Sequence, residues 1–432
     1  MEGRQSGRRS RRRAGTALAL AALLALAPAL GRAATPEAQI AEIARAARHP
    51  DLRWPRFPDY QTVVLALYEP RGFAPLWLED GRPTAAAAEA TRALGGADAQ
   101  GLAAADYDAA RLEAARRELA RGARATAETL ARFDTGLTLG LLRLVSDLHV
   151  GRVDPQRLAF GYDVGPKRYD LAALVAAAVR DGDIARIVAE APPALGQHRR
   201  LVEQLARYRA LAADTSVGPV LVRGTLRPGD PSQGTDGLAR WLAALGDLPA
   251  PSGGDASLVY DGELVEALRR FQARHGLAVD GVIGPATARA LAVPAEQRVR
   301  QIEWALERLR WIPALPHERA VFVNIPAFEL FAVDAVSRDE PAALRMRVVV
   351  GRAGTRTPAF TGTLATVVFA PYWNVPRSIT VNEQLPKLRR DPGALAGGGF
   401  EIARGATVLP ATAASVEELA AGRAQLRQPS AA

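Results

Sequence analysis

The five histidines are His49, His149, His198, His275 and His317, and the 432 residues contain no cysteine. No two histidines are four apart and no cysteine pair exists, so the spacing a zinc site needs is missing. Neither a metal nor a cofactor is expected. The lack of cysteine also removes every thiol mechanism from these residues. Ser232, Ser257 and Ser378 have no Gly-x-Ser-x-Gly surround, so a serine nucleophile has no support. Gly397, Gly398 and Gly399 lack the lysine and hydroxyl residue of a phosphate loop and read as a flexible surface turn. The 46 acidic residues always offer carboxylate pairs, which keeps glycan hydrolysis open as a third reading. Asp261 and Asp280 read as capping or turn residues. No catalytic residue emerges.

Binding chemistry is better placed, in the run 263–291. Leu264, Leu268 and Phe271 recur at i, i+4 and i+7, which predicts a helix. Against that stripe the helical phase puts Arg270, Gln272 and Arg274 on the exposed side. There they would face glycan or a peptide carboxylate, or form a plain solvated face. His275 falls in the last turn, where its proton-accepting ring suits the negative helix end, and Gly276 follows at a C′ position. Asp280-Gly281 is a turn pair, and Gly284-Pro285 opens a second short helix. Leu277, Val279, Ile283 and Leu291 would close the unit.

The phrases Phe271-Gln272, His275-Gly276-Leu277, Asp280-Gly281, Ile283-Gly284-Pro285, Thr287 and Ala290-Leu291 together resemble the peptidoglycan-binding domain of bacterial wall enzymes. The resemblance implies peptidoglycan, glycan strands and stem peptides, as the partner. It also implies a three-helix unit, with 235–246 supplying the first helix and the domain spanning 229–293.

Targeting and charge fit an exported protein. Residues 1–33 read as a signal peptide: an Arg-rich start, an apolar stretch from Ala17 to Leu30, and small residues at Gly31 and Ala33 before cleavage. The stretch is short for a membrane span, so membrane attachment is expected only through an uncleaved leader. The export route, Sec or Tat, stays open. Seven Arg and one Glu in those residues carry +6 of the formal +9, which leaves +3 for the rest. That balance, with no basic stripe interleaved with aromatics, speaks against a nucleic-acid partner. Without disulfides, stability must come from packed cores.

Residues 36–213 read as one alanine-rich helical domain without chemistry of its own, its polar residues forming a solvated surface. The clearest helix spans 128–150, ended by Gly151 and Pro155; others cover 169–180 and 193–211. After a helix at 297–311 the period changes. Segments 321–325, 329–333, 346–350 and 365–369, rich in β-branched and aromatic residues, predict antiparallel strands of a β-sandwich or open barrel.

Several further phrases resemble the large, multi-domain L,D-transpeptidases of Gram-negative bacteria. They are Val323-Asn324-Ile325-Pro326-Ala327-Phe328, Val348-Val349-Val350-Gly351-Arg352 with Arg356-Thr357-Pro358, and Tyr372-Trp373-Asn374-Val375-Pro376-Arg377-Ser378-Ile379. Glu383, Leu385-Pro386 and Asp391-Pro392 continue the pattern. Ala74-Pro75-Leu76-Trp77, Gly101-Leu102 and Gly151-Arg152-Val153-Asp154-Pro155 resemble that family's scaffold domain. The implied fold is multi-domain α+β: helical scaffold, small three-helix module, and an incomplete β-sandwich-like catalytic domain over 296–432. The implied reaction cross-links peptidoglycan stems: a cysteine thiolate attacks a stem carbonyl and an amine resolves the thioester. Trp373 and Asn374 would lie near the wall-peptide groove, against the alternative of a buried Trp closing a strand end.

The family's Ser/Thr-His-Gly-Cys motif is not in this sequence. Residues 425–429 resemble the phrase just before it. The expectation is therefore truncation before the catalytic motif, by frameshift, gene truncation or real loss. Such a chain would bind wall in the periplasm without cross-linking it; the alternative is a non-enzymatic peptidoglycan-binding or scaffolding protein using the first two domains only. Its last domain is expected to fold poorly, with unpaired strand edges and an uncovered apolar face.

Overall fold

The computed structural model describes residues 35–122, 125–158, 167, 169–222, 224–231, 235–249, 259–313, 318–336 and 342–429. The leader at 1–33, Ser232, Ser257, His317 and most of the Pro/Gly-rich stretch at 249–254 lie outside them. The chain forms two compact units divided after Phe360. Among the described residues, no helix is long and apolar enough to cross a membrane.

In the first unit, helices α1 (Pro36–Ala46), α2 (Pro58–Tyr68), α3 (Ala85–Gly95), α4 (Ala109–Ala120), α5 (Ala127–Val150), α6 (Leu171–Asp181) and α7 (Ile184–Glu190) share one core. A two-stranded hairpin, β1 (Leu78–Glu79) and β2 (Arg82–Pro83), turns at Asp80-Gly81. Helix α5 is central. Its first turn is capped by Thr126, whose hydroxyl accepts from the Thr129 N–H at 3.1 Å. Its leucines from Leu137 to Leu148 are buried.

Several polar residues of this domain are inside, which corrects the expectation of a purely solvated polar surface. Asp134 on α5 is fully buried. Its carboxylate accepts from the Leu76 N–H (2.9 Å), the Trp77 N–H (2.8 Å) and the Tyr68 hydroxyl (2.6 Å), and Trp77 Nε1 donates to Thr138 at 2.8 Å. The loop before β1 leaves two backbone donors inside the core, and a buried acceptor must meet them. Desolvation outweighs these bonds and raises the Asp134 carboxyl to about 6.

Helix α8 (Gly196–Ala213) packs along α12 (Ala295–Arg310), which also reaches α5. The Gly151-Arg152-Val153 phrase has a physical role at that junction. Glu307 on α12 accepts from the Arg152 N–H at 2.6 Å and the Val153 N–H at 2.9 Å. Gly151 has φ of 87°, and a Cβ there would lie 2.7 Å from the Glu307 carboxylate. Only glycine fits.

Beyond α12, strands β3 (Ala320–Asn324), β4 (Glu329–Val333) and β5 (Leu344–Arg347) form an antiparallel sheet, with Phe322 opposite Phe331 and Phe331 opposite Arg345. β5 sits two to three residues before the predicted 346–350. Val321, Val323, Leu344 and Met346 occupy one face and are about half exposed.

The second unit holds a sheet in the order β6-β9-β7-β8, all antiparallel: β6 (Trp373–Asn374), β7 (Glu401–Arg404), β8 (Thr407–Leu409) and β9 (Gln425–Gln428). A helical run at 377–388 and helix α13 (Ala413–Ala420) cover it. Val375, Leu385, Leu388, Leu395, Ile402, Val416, Leu419 and Leu426 make the core. Residues 365–369 are not a strand, and Phe369 is 89% exposed. High β-propensity does not make a strand without a neighbour to pair with. The molecule is thus a multi-domain α+β protein.

Candidate functional site

The module contains α9 (Thr235–Leu245), α10 (Gly262–Arg274) and α11 (Pro285–Leu291). Leu238, Trp241, Leu242, Leu268, Phe271, Ile283 and Leu291 are buried together, and Tyr208 of α8 joins them. Backbone bonds between Leu226 and Ile283 tie the preceding segment to the turn ahead of α11.

The turn at Asp280-Gly281 is held from inside. Gln272 is 0% exposed, which corrects its predicted place on the solvent side of α10. Its amide nitrogen donates to Asp280 Oδ1 (2.9 Å) and the Val282 carbonyl (3.0 Å), and also reaches Thr287 Oγ1 at 3.3 Å. Its amide oxygen accepts from the Gly281 N–H at 2.9 Å. Tyr260 donates its hydroxyl to the Gly281 carbonyl at 2.8 Å. The helical phase had Gln272 beside Phe271, and the turn folds back over that edge and buries it. Asp280 is a turn residue as expected: Oδ1 also accepts from the Val282 N–H at 2.9 Å, and these bonds lower its pKa. Gly281 has φ of 74°, and a Cβ would stand 2.8 Å from Val265 Cγ1.

Arg274 is only partly free. It grips Asp247 in two parallel bonds, Nε to Oδ1 at 2.8 Å and Nη2 to Oδ2 at 2.5 Å, and Asp247 is 5% exposed. Arg270 donates from Nε to the Asp247 carbonyl at 2.7 Å while the residue as a whole stays exposed. Both arginines therefore fasten the end of α9 to α10. His275 lies tilted on Phe271 with centroids 4.0 Å apart, and Nδ1 is 2.8 Å from the Phe271 carbonyl. Burial lowers its pKa to about 4, so at neutral pH it is an uncharged donor rather than a cation at the helix end.

In the second unit, Trp373 and Asn374 lie on β6 opposite Gln428 and Arg427. Trp373 is 46% exposed with its ring 6.0 Å from Phe400, so it is not the buried strand-end Trp of the blander expectation. Its neighbour Tyr372 lies 4.4 Å beneath the Arg427 guanidinium. Sequence reasoning named none of the arginines of this unit as site candidates. Arg377, Arg423 and Arg427 line one cleft of this unit; Arg377 and Arg427 fall in the phrases 372–379 and 425–429, and nothing local in the sequence sets Arg423 apart from the chain's many others. No group of three or more His, Cys, Asp or Glu that could hold a metal occurs among the described residues.

Three family models match the chain in sequence order: "Scaffold domain" over residues 62–205, "Putative peptidoglycan binding domain" over 236–291, and "L,D-transpeptidase catalytic domain" over 318–430. A protein named "Putative L,D-transpeptidase" from Haemophilus influenzae is 35% identical over 96 residues. That similarity covers 22% of this chain and 18% of the relative's length.

Proposed function

Because the chain belongs to the L,D-transpeptidase family, with a peptidoglycan-binding domain inside it, we propose that these 432 residues hold peptidoglycan without cross-linking it. The observation that carries the reading is the completed module: the Gln272 clasp, the Asp280-Gly281 turn and the Phe271 core form one closed unit. The family's thioester step needs a thiolate, and these residues contain no cysteine. Cross-linking of that kind would draw its nucleophile from elsewhere.

In this reading a scaffold over 36–213 and the module over 229–293 present the wall-binding surface, and residues 296–432 are part of the catalytic domain. The leader at 1–33 carries the protein to the periplasm, where it associates with the cell wall. Gln272 is withdrawn as a ligand contact because it has no exposed surface. Arg270 and Arg274 keep an outer edge for a glycan or stem carboxylate, and Trp373 with Asn374 is the second contact. A non-enzymatic scaffolding role for the helical part alone is the alternative, favoured by the Glu307 bonds that fasten the scaffold to α12.

Co-sedimentation of the full chain with purified sacculi tests the reading. Binding should persist in Trp373→Ala and fall in Phe271→Ala, which removes the module's core. Equal sedimentation with and without sacculi would refute it.

A further inference from the structure

The cleft between β9, α13 and the start of the helical run in the second unit has a volume of about 420 Å³. Twelve residues line it, three of them arginine and none of them acidic. Its floor is apolar, with Val375, Leu419 and Leu426 buried. The three guanidinium groups are not equivalent. Arg427 is paired across the sheet with Glu401 and is largely covered. Arg377 lies across Gly422, where a Cβ would come within 2.9 Å of Nη1, and it donates from Nη2 to the Ala420 carbonyl at 3.2 Å. Capping the end of α13 accounts for that single bond and leaves the remaining donors of the fork. Arg423 is exposed; its backbone N–H donates to the Glu418 carbonyl at 3.0 Å, and its guanidinium has no hydrogen-bond or ion-pair partner among the described residues.

We propose that this cleft binds the free carboxylate end of a short peptide, with Arg377 and Arg423 as the two forks and the apolar floor beneath the peptide's small side chains. Even after the Glu401 partner is counted, two positive charges stand over apolar surface with no competing carboxylate, which favours a compact oxyanion. The volume suits two or three residues and excludes a folded partner. Thr380 beside the floor has its hydroxyl turned to the Val375 carbonyl at 3.4 Å, so the arginines are the groups left for recognition. The site extends the wall-binding reading to a second surface. It rests on that reading for the peptide's source and not for the anion chemistry.

The test is a titration of the full chain, followed by NMR or calorimetry, with an N-acetylated Ala-Ala peptide. Parallel arms use its C-terminal amide and inorganic phosphate. The free acid should bind, weaken with added salt, and lose about tenfold or more in affinity in Arg423→Gln and again in Arg377→Gln. Arg423→Gln removes no internal bond, so its fold should match the parent by circular dichroism. Equal affinity for acid and amide, or unchanged affinity in both variants, overturns the proposal. Tighter binding of phosphate than of the peptide acid also overturns the peptide assignment. Sacculus co-sedimentation of the same variants keeps the two readings apart: it should survive through the module even if the peptide fails to bind.

Discussion

Gln272 and Arg423 are both polar, both sit on the rim of a small core, and end in opposite environments. Gln272 looks like a surface residue by helical phase yet has no exposed area, because three hydrogen-bond partners in the Asp280-Gly281 turn and Thr287 on α11 need it. Arg423 looks like one arginine among many, and its side chain has no partner among the described residues to turn inward for. A recognition phrase in a sequence can thus be a signature of how a fold closes. The residues that meet a ligand are then those the fold leaves unsatisfied. In the module the phrase is spent on closure; in the second unit Arg423 belongs to no such phrase.

The contrast can be broken most sharply at the module's centre. Phe271→Ala removes a fully buried ring and should cost about 3–5 kcal/mol in thermal or denaturant unfolding, and lower sacculus binding with it. Gln272→Ala should cost about 2–4 kcal/mol, since it leaves the Gly281 N–H and the Val282 carbonyl without their partner. If Gln272 instead contacted wall, that variant would lose binding at unchanged stability. Gly281→Ala places a side chain at positive φ against Val265, for about 1–3 kcal/mol.

On the exposed side, Trp373→Ala should change stability by less than about 1 kcal/mol and lower affinity for stem peptide, read by fluorescence or calorimetry. The smallest effect is the pH response of His275. Its folded pKa of about 4 lies below the ordinary 6.5, so the folded state binds fewer protons than the unfolded one. Its contribution is present above pH 6.5 and is lost as pH falls toward 4. His275→Asn should flatten that part of the stability curve. Asp134 works in the opposite direction: raised to about 6, it is held protonated more readily when folded, so stability falls as pH rises from about 4 to 6. Asp134→Asn should remove that slope.

The parts legible in the sequence are those set by local period. Helices α5, α8, α10 and α12 follow their apolar spacing and caps, and β3 and β4 follow their β-branched and aromatic content. Long-range bonding was not legible. Asp134 is buried because of two N–H groups some 57 residues away, a need no local window contains. β9 pairs with β6 across more than fifty intervening positions, and its short, mixed sequence gives no strand signal. Residues 365–369 have the propensity and lack the partner. Of the candidate contacts, Trp373, Asn374 and Arg270 kept exposed surface, Arg274 is shared with Asp247, and Gln272 turned inward.

The central claim is that these residues bind peptidoglycan and leave its chemistry unchanged. Incubating the 432-residue chain with purified muropeptides, then weighing both protein and muropeptides by mass spectrometry, tests it most directly. Bound but unmodified muropeptides and a protein of unchanged mass are predicted. Stem dimers formed in the mixture, or a stem fragment acylated onto the chain, would contradict it.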